Sequence, residues 1–307
     1  MSAESPFILG RATVARVERL SPSFTRVWFA GDDLADVGTP GRVLDQRIKL
    51  IFPSASGELP DLAGAGSSWY EEWLAIPEQS RGSMRTYSIR DLIVDGPVTT
   101  VVVDFVLHLR PGASGPASLW ANDAEPGDEI LLLGPRRGRT DGGGIEYTPG
   151  AAPTVLLAGD ETAAPAIARI LEDADRAVRG IAFIEIPHRD DILAIDAPAG
   201  VDVRWLPRAS LPHGQLLLPA VLDYLGAEAT AAIDDTATDE LLWETPTYSG
   251  LGEHIAVPEN PAERYFWMAG ESGVITTLRR HLVKDLGVER AQVAFMGYWR
   301  KGVAMRG

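Results

Sequence analysis

In the first half of the chain, short runs rich in Val, Ile and aromatic residues are separated by Gly, Pro or Asp. Ala12 to Leu20, Phe24 to Ala30, Gln46 to Phe52, Arg85 to Val94, Thr99 to Leu109 and Glu129 to Leu133 read as strands. Evenly spaced strands of this kind predict an antiparallel β-barrel. One helix is expected at Ser68 to Ala75, where Trp69, Trp73 and the neighbouring Tyr70 and Leu74 are read as sharing a face. Another opens at Gly115-Pro116-Ala117-Ser118.

The second half changes period. Pro153 to Ala158 is a continuous apolar strand, and Glu161 to Ala174 follows with Ile167, Ile170 and Leu171 at helical spacing. Strands are then expected at Ile181 to Ile186, Val201 to Leu206, Tyr265 to Met268 and Gln292 to Phe295. Helices are expected at Gln215 to Leu225 and Val274 to Leu286. Alternation of this kind implies right-handed crossovers and a parallel sheet, so a barrel over residues 1–149 followed by an α/β domain over 150–307 is the predicted organisation. The segment Gly138 to Pro149, with Arg139-Thr140-Asp141-Gly142-Gly143-Gly144, marks the turn or linker between them. An acidic stretch from Gly226 to Pro261, carrying Asp234, Asp235, Asp239, Glu240, Glu244, Glu253 and Glu259, reads as a solvated insertion in preference to a functional lid.

Charge and residue counts narrow the chemistry. A net charge of -15 repels phosphate backbones and anionic membranes, which argues against nucleic-acid or lipid-surface function. No run reaches the roughly 20 apolar residues that span a bilayer, and the N-terminus has no signal-peptide pattern, so a soluble, cytoplasmic protein is expected. With no Cys there are no disulfides, thiolate nucleophiles or Cys-held metal centres, and redox chemistry would have to come from an organic cofactor. The five His residues, His108, His188, His213, His254 and His281, lack paired metal-ligand spacing, and no GxSxG elbow is present.

Against this background Met84-Arg85-Thr86-Tyr87-Ser88-Ile89-Arg90 stands out. In a strand, alternation sends Arg85 and Tyr87 to one face, where a guanidinium fork can hold a pyrophosphate and a phenol can lie against a flavin. Read alone, the segment fits a surface Arg beside a core Tyr equally well. Gly115-Pro116-Ala117-Ser118 would leave unbonded N–H groups at a helix start, suited to an anion or simply an ordinary Gly-Pro start. His108, at the end of Asp104-Phe105-Val106-Leu107-His108, is either a satisfied strand-end side chain or a flavin-edge contact. In the α/β half, Ala158-Gly159-Asp160-Glu161-Thr162 lies at the carboxyl edge where such sheets bind ligands, but it lacks GxGxxG; Asp160, Glu161 and Thr162 read as helix caps. Arg279 and Arg280 fit either a nucleotide phosphate or a solvated helix face.

Taken in order, these motifs resemble the siderophore-interacting proteins, FAD-dependent ferric-siderophore reductases related to the ferredoxin–NADP reductase fold. The resemblance also includes Gly134-Pro135-Arg136, Trp267-Met268-Ala269-Gly270-Glu271 and Gly297-Tyr298-Trp299-Arg300. It implies a noncovalent FAD, with Arg85 on the pyrophosphate, Tyr87 and Ser88 at the isoalloxazine, and the turn Gly115, Pro116, Ala117 and Ser118 around the phosphates. Thr86, Asp104 and His108 complete the cofactor candidates of the first half. Asp160, Thr162, Gly270, Glu271 and Trp299 are those of the second, where NADH or NADPH would deliver hydride beside Gly270 and Glu271. The implied substrate is a ferric siderophore whose iron leaves as Fe(II), with a reduced ferredoxin as the other conceivable donor.

A ferric siderophore is often anionic, so an acidic protein needs local cations to hold one. Lys49, Arg136, Arg137, Arg300 and Lys301 are the candidates, of which Lys49 best matches the family's basic patch. Two features depart from the family pattern: the extra Arg in Gly134-Pro135-Arg136-Arg137-Gly138-Arg139, and the long acidic insertion. A siderophore-binding flavoprotein without turnover and a general flavin reductase or diaphorase of the same fold are the competing functions.

Overall fold

The computed structural model describes residues 5–109, 114–227, 233, 241–246, 248–249 and 262–303. The chain divides into two compact units between Ile145 and Glu146.

The first unit contains β1 (Phe7–Arg19), β2 (Phe24–Ala30), β3 (Arg47–Phe52), α1 (Trp69–Ala75), β4 (Ser83–Ser88), β5 (Asp91–Asp95), β6 (Val98–Val106), α2 (Pro116–Asp123) and β7 (Glu129–Pro135). Its strands form one sheet in the order β4-β3-β7-β1-β2-β6-β5, every neighbouring pair antiparallel. The two edge strands, β4 and β5, are joined only by Ile89 and Arg90, so the sheet curls to bring its edges towards each other, giving a half-barrel where a barrel was expected. Ile89 donates its N–H to Gln46 at 2.8 Å while Arg90 donates to Val102 at 2.8 Å. The expected strand from Arg85 to Val94 is therefore two strands, broken where the backbone changes hydrogen-bonding partner.

Alternation sets the two faces of this sheet. Ile48, Leu50 and Phe52 of β3 point inward with Val27, Phe29, Val103, Phe105, Ile130 and Leu132. Ile51, Met84 and Leu131 point outward under Trp73 of α1. The predicted four-residue apolar face of α1 needs correction. Trp69 and Trp73 lie one turn apart on the packed side, whereas Tyr70 and Leu74, rotated about 100° from them, are 41% and 44% exposed.

The second unit contains β8 (Thr154–Gly159), α3 (Ala164–Asp173), β9 (Arg179–Ile186), β10 (Gly200–Pro207), α4 (Leu217–Tyr224), β11 (Trp243–Thr245), β12 (Tyr248–Ser249), β13 (Arg264–Glu271), α5 (Ser272–Arg279) and β14 (Val293–Trp299). A π-helical turn, Arg280–Asp285, continues α5. The sheet order is β10-β9-β8-β13-β14-β11-β12, with the first five strands parallel. β11 runs antiparallel to β14 and pairs with β12, so the sheet is mixed.

β11 comes from the segment expected to be a solvated insertion. Glu244 within it pairs with Arg279 at 2.7 Å and lies 3.5 Å from Arg290, which ties this strand to the sheet and occupies one of the arginines considered for a nucleotide phosphate. Asp234, Asp235, Asp239, Glu240, Glu253 and Glu259 lie outside the described residues. Among the described residues no helix is long and apolar enough to cross a membrane.

Candidate functional site

In the first unit the candidate residues sit on β3, β4 and the start of α2. The β3–β4 register pairs Leu50 with Arg85 and Ile48 with Tyr87, while Lys49 faces Thr86. Because opposed residues share a face, Arg85 and Tyr87 lie on the inward side with Leu50 and Ile48, and Lys49 and Thr86 on the outward side.

The Tyr87 ring packs 4.6 Å from Phe105 and 6.5 Å from Phe52, in an aromatic cluster completed by Phe29 and Trp120 of α2. Burial raises the Tyr87 phenol well above its ordinary value, opposed by the charge of Arg85 beside it. Arg85 is half-buried; burial lowers its pKa, and one of its N–H groups donates to the Met84 carbonyl at 2.6 Å. One flank of the barrel thus offers a positive fork next to an aromatic ring.

Helix α2 begins beside it. Gly115 is extended (φ -71°, ψ 155°), Pro116 takes the first helical position, and the first helical bond runs from Leu119 N–H to the Gly115 carbonyl at 3.1 Å. The N–H groups of Ala117 and Ser118 therefore lack intrahelical acceptors, and the space around Gly115 is open. The Ser118 hydroxyl is otherwise engaged: it donates to the Val106 carbonyl at 3.1 Å and accepts the His108 N–H at 3.3 Å, stitching the helix to the end of β6. Only the backbone of Ser118 is left for an anion.

Asp104 also has another role. Its two oxygens accept the Arg26 fork at 2.6 and 2.8 Å, with Arg90 at 3.6 Å, so it clamps β2, β6 and the β4–β5 crossover.

The candidate cations separate. Lys49 donates to the Thr86 hydroxyl at 3.3 Å, and its pKa is lowered by burial and then by Arg47 on the same face. Arg136 donates to the Ser5 carbonyl at 2.8 Å and lies 4.0 Å from Asp36. Arg137 reaches the Ala35 carbonyl at 2.9 Å and the Thr99 hydroxyl at 2.7 Å. Both therefore hold the 35–38 loop, so part of each guanidinium is engaged within the protein. Arg300 and Lys301 belong to the second unit, where they follow β14.

At the carboxyl edge of the parallel sheet Asp160 is a buried hub. Its Oδ1 accepts from the Thr162 N–H at 2.9 Å and hydroxyl at 2.5 Å; its Oδ2 accepts from the Glu271 N–H at 2.8 Å and the Trp299 indole at 2.8 Å. Burial raises its pKa, reinforced by Glu161 and opposed by the bonds from Thr162 and Trp299. Gly270 permits this approach: a Cβ there would lie 2.7 Å from Asp160 Oδ2, and its φ of +147° disfavours any other residue. Glu271 caps α5, accepting the Val274 N–H at 3.0 Å, and also accepts the Lys301 N–H at 3.2 Å.

Asp160 and Glu161 were expected to cap α3, but their side chains do not. Glu161 is fully buried in a bidentate pair with Arg208, both contacts 2.6 Å, with His213 Nε2 at 3.0 Å from its Oε1. Glu185 is equally buried and accepts the N–H groups of Gly214, Leu216 and Leu217 at 2.8 to 3.0 Å. The His213 ring sits edge-on to Trp299 at 4.7 Å. Arg208, Glu185 and His213 were not singled out from sequence. The available signal was Glu185, a charge inside the apolar run Ile181 to Ile186, since carboxylates are almost never fully buried without a partner.

Comparison with known proteins supplies the context. Residues 13–139 match the siderophore-interacting FAD-binding domain and residues 152–302 match the siderophore-interacting protein family. An uncharacterized protein of Mycobacterium tuberculosis is 31% identical over 94% of this chain and 89% of its own length. The NADPH-dependent ferric-chelate reductase of Escherichia coli is 29% identical (94% and 91%), and the ferric vibriobactin reductase of Vibrio cholerae 26% (94% and 88%). Among solved structures, a siderophore utilization protein from T. fusca superimposes with a TM-score of 0.70 at 27% identity, covering 98% of this chain and 96% of that one. A Neisseria gonorrhoeae ferredoxin NADP+ reductase with bound FAD and NADP shares the fold, with a TM-score of 0.56 at 14% identity over 96% and 100% of the chains.

Proposed function

Since the chain belongs to the siderophore-interacting protein family, we propose that it is an FAD-dependent ferric-siderophore reductase that takes electrons from NADH or NADPH and releases iron as Fe(II). The observation that carries this reading is the pairing of Arg85 and Tyr87 on one face beside the open start of α2. That donor set fits FAD: the guanidinium and the free N–H groups suit a pyrophosphate, and the phenol presents a flat, partly apolar surface to a ring.

When bound, FAD would accept the two electrons of a nicotinamide hydride and pass them singly, one to each ferric centre. The protein's part is to bind and orient. Arg85 and the N–H groups of Ala117 and Ser118 hold the pyrophosphate, while Tyr87, braced by Phe52 and Phe105, sets the plane of the ring. Thr86 and Ser88 alternate to the face that carries Lys49, which attracts the anionic chelate. In the α/β unit the edge around Gly270 and Glu271 receives the nicotinamide. A hard oxygen chelator binds Fe(II) less tightly than Fe(III), so reduction frees the metal.

The test is anaerobic mixing of the FAD-loaded protein with NADH or NADPH, following the flavin's visible absorbance, then adding a ferric siderophore with a ferrous chelator as trap. Bleaching followed by trapped Fe(II) is the expected result. A flavin that neither nucleotide bleaches, and that a reduced ferredoxin also leaves oxidised, would rule out the reductase reading. Equal rates with ferric citrate and with every ferric siderophore would favour a general diaphorase.

A further inference from the structure

Resting on the proposed reductase function, we infer that His213 is a positioning residue for the nicotinamide step: with Nε2 unprotonated its ring holds the Trp299 indole beside Gly270 and Glu271, and uptake of a proton loosens that hold. Trp299 ends β14 opposite Glu271 of β13, next to the edge proposed to receive the nicotinamide. Asp160 accepts its indole N–H at 2.8 Å, and the His213 ring meets it edge-on, with 4.7 Å between centroids and 76° between planes.

The loop that carries His213 is tied down on both sides. The Arg208 N–H donates to the Ile186 carbonyl at 2.8 Å, the Leu211 N–H to the Arg208 carbonyl at 2.9 Å, and the Gly214 N–H to Glu185 Oε1 at 2.8 Å. Gly214 has a φ of +81°, and a Cβ there would lie 2.5 Å from Val274 of α5, so only glycine lets the chain turn and pack at this point. With the backbone pinned, the orientation of the ring is left to its polar contacts.

Those contacts ask opposite things of Nε2. It lies 2.7 Å from Arg208 Nη2, which can only donate, and 3.0 Å from Glu161 Oε1, which when ionised can only accept. Glu161 already receives both arms of the Arg208 fork at 2.6 Å, so the closer contact decides: Nε2 accepts from Arg208 and the ring proton sits on Nδ1. The side chain keeps 15% of its surface exposed, so its protons exchange with water. A further proton has to enter at Nε2, which sets two donors and two positive charges 2.7 Å apart. The relief is for the ring to turn its Nε2–H towards Glu161, and that carries its edge off Trp299.

The other charged groups of the cluster are already committed. Glu185, at the end of β9, lies 3.9 Å from Arg208 and is taken up by the N–H groups of Gly214, Leu216 and Leu217. Glu271, on β13, accepts the Val274 and Lys301 N–H groups. Asp160, after β8, is the second titrating group against the same indole, and Asp160→Asn separates its part because the amide oxygen still accepts the indole N–H.

The experiment follows Trp299 directly, by fluorine NMR of the FAD-loaded protein carrying fluorotryptophan. Each of the eight Trp gives a resonance, and Trp299→Phe identifies the one lost. Between about pH 8 and pH 5, where imidazoles take up a proton, the Trp299 resonance should shift in the wild type and in Asp160→Asn. It should stay fixed in His213→Gln, which keeps an acceptor for Arg208 but cannot titrate. Over the same range the half-saturating concentration of NADH or NADPH for flavin reduction should rise about two- to tenfold in the wild type, the scale of one aromatic contact. In His213→Gln it should stay flat, with the maximal rate the same in the two proteins. A Trp299 resonance that ignores pH, or that shifts equally in His213→Gln, overturns the inference, as does a half-saturation equally pH-dependent in both proteins. If the resonance titrates through His213 while neither nucleotide reduces the flavin, the coupling of His213 to Trp299 stands and the reductase reading fails.

Discussion

The indole N–H of Trp299 donates to Asp160 Oδ2 at 2.8 Å, and the same oxygen accepts the N–H of Glu271 at 2.8 Å. One buried carboxylate therefore fastens the carboxyl ends of β8, β13 and β14, the three strands whose ends carry the candidate residues of the α/β unit. Its carboxylate oxygens are taken up by these donors and those of Thr162, so its part is to position those neighbours.

Its titration should be visible in stability. Burial and Glu161 raise the folded-state pKa of Asp160 above the ordinary 3.8. The folded protein therefore holds this proton more tightly than the unfolded chain, and the Asp160 contribution to stability falls as pH rises through that window. Asp160→Asn cannot ionise and should flatten that fall in urea midpoints measured from acid toward neutral pH. The same dependence in both proteins would show that Asp160 does not titrate there. Asp160→Ala, which leaves buried donors without an acceptor, should cost about 1–3 kcal/mol per donor and red-shift tryptophan emission as Trp299 is released.

Arg208 offers a larger effect. Its guanidinium satisfies the fully buried Glu161 and lies 3.9 Å from Glu185. Arg208→Met leaves two carboxylates without their cation and should destabilise the protein by about 3–5 kcal/mol. Adding Glu161→Gln should recover part of the loss, because one of the stranded charges is removed. Denaturant midpoints of the wild type and the two variants check both expectations.

The sequence carried the strands through local alternation: Phe24 to Ala30 forms the predicted strand residue for residue. Features that depend on distant partners were hidden. The break at Ile89-Arg90 follows from bonds to Gln46 and Val102, residues 43 and 12 positions away from Ile89 and Arg90 respectively. Asp160 and Glu161 look like helix caps because a short-range cap is the only partner a local reading can supply, while Glu161 in fact meets Arg208, 47 residues on. Asp104 and Arg137 lie in recognisable motifs, yet their side chains are committed to Arg26 and to the Ala35 carbonyl. A motif indicates where the backbone goes more securely than which polar atoms stay free.

On the outward face of β3, Lys49 should behave as a titrating anion hook. Burial and Arg47 lower its pKa below the usual 10.5, so its positive charge is lost earlier on the alkaline side than for an exposed lysine. Affinity for an anionic ferric siderophore should therefore drop as pH rises, beginning below the ordinary lysine range. Arg47→Gln, which removes the like charge, should move that drop to higher pH. Lys49→Ala should abolish it while leaving FAD bound. Quenching of protein fluorescence by a ferric siderophore across a pH series reads all three, and a pH profile unchanged in Lys49→Ala would exclude Lys49 as the hook.

Arg85 makes the complementary prediction. Its guanidinium shares a face with Tyr87, on the opposite side of β4 from the Lys49–Thr86 contact. Among the described residues its one hydrogen bond goes to the neighbouring Met84 carbonyl, so its removal leaves the barrel core and the Asp104 clamp intact. Arg85→Ala should consequently fold with a near-native thermal midpoint but purify without flavin. Loss of one bidentate charge-assisted contact is worth roughly 1.5–3 kcal/mol, or about one to two orders of magnitude in FAD affinity. Arg85→Lys keeps the charge but not the fork and should fall between the two. FAD titration monitored by flavin fluorescence measures the series. Full flavin content in Arg85→Ala would remove this residue from the pyrophosphate site and leave the first turn of α2 as its remaining anchor.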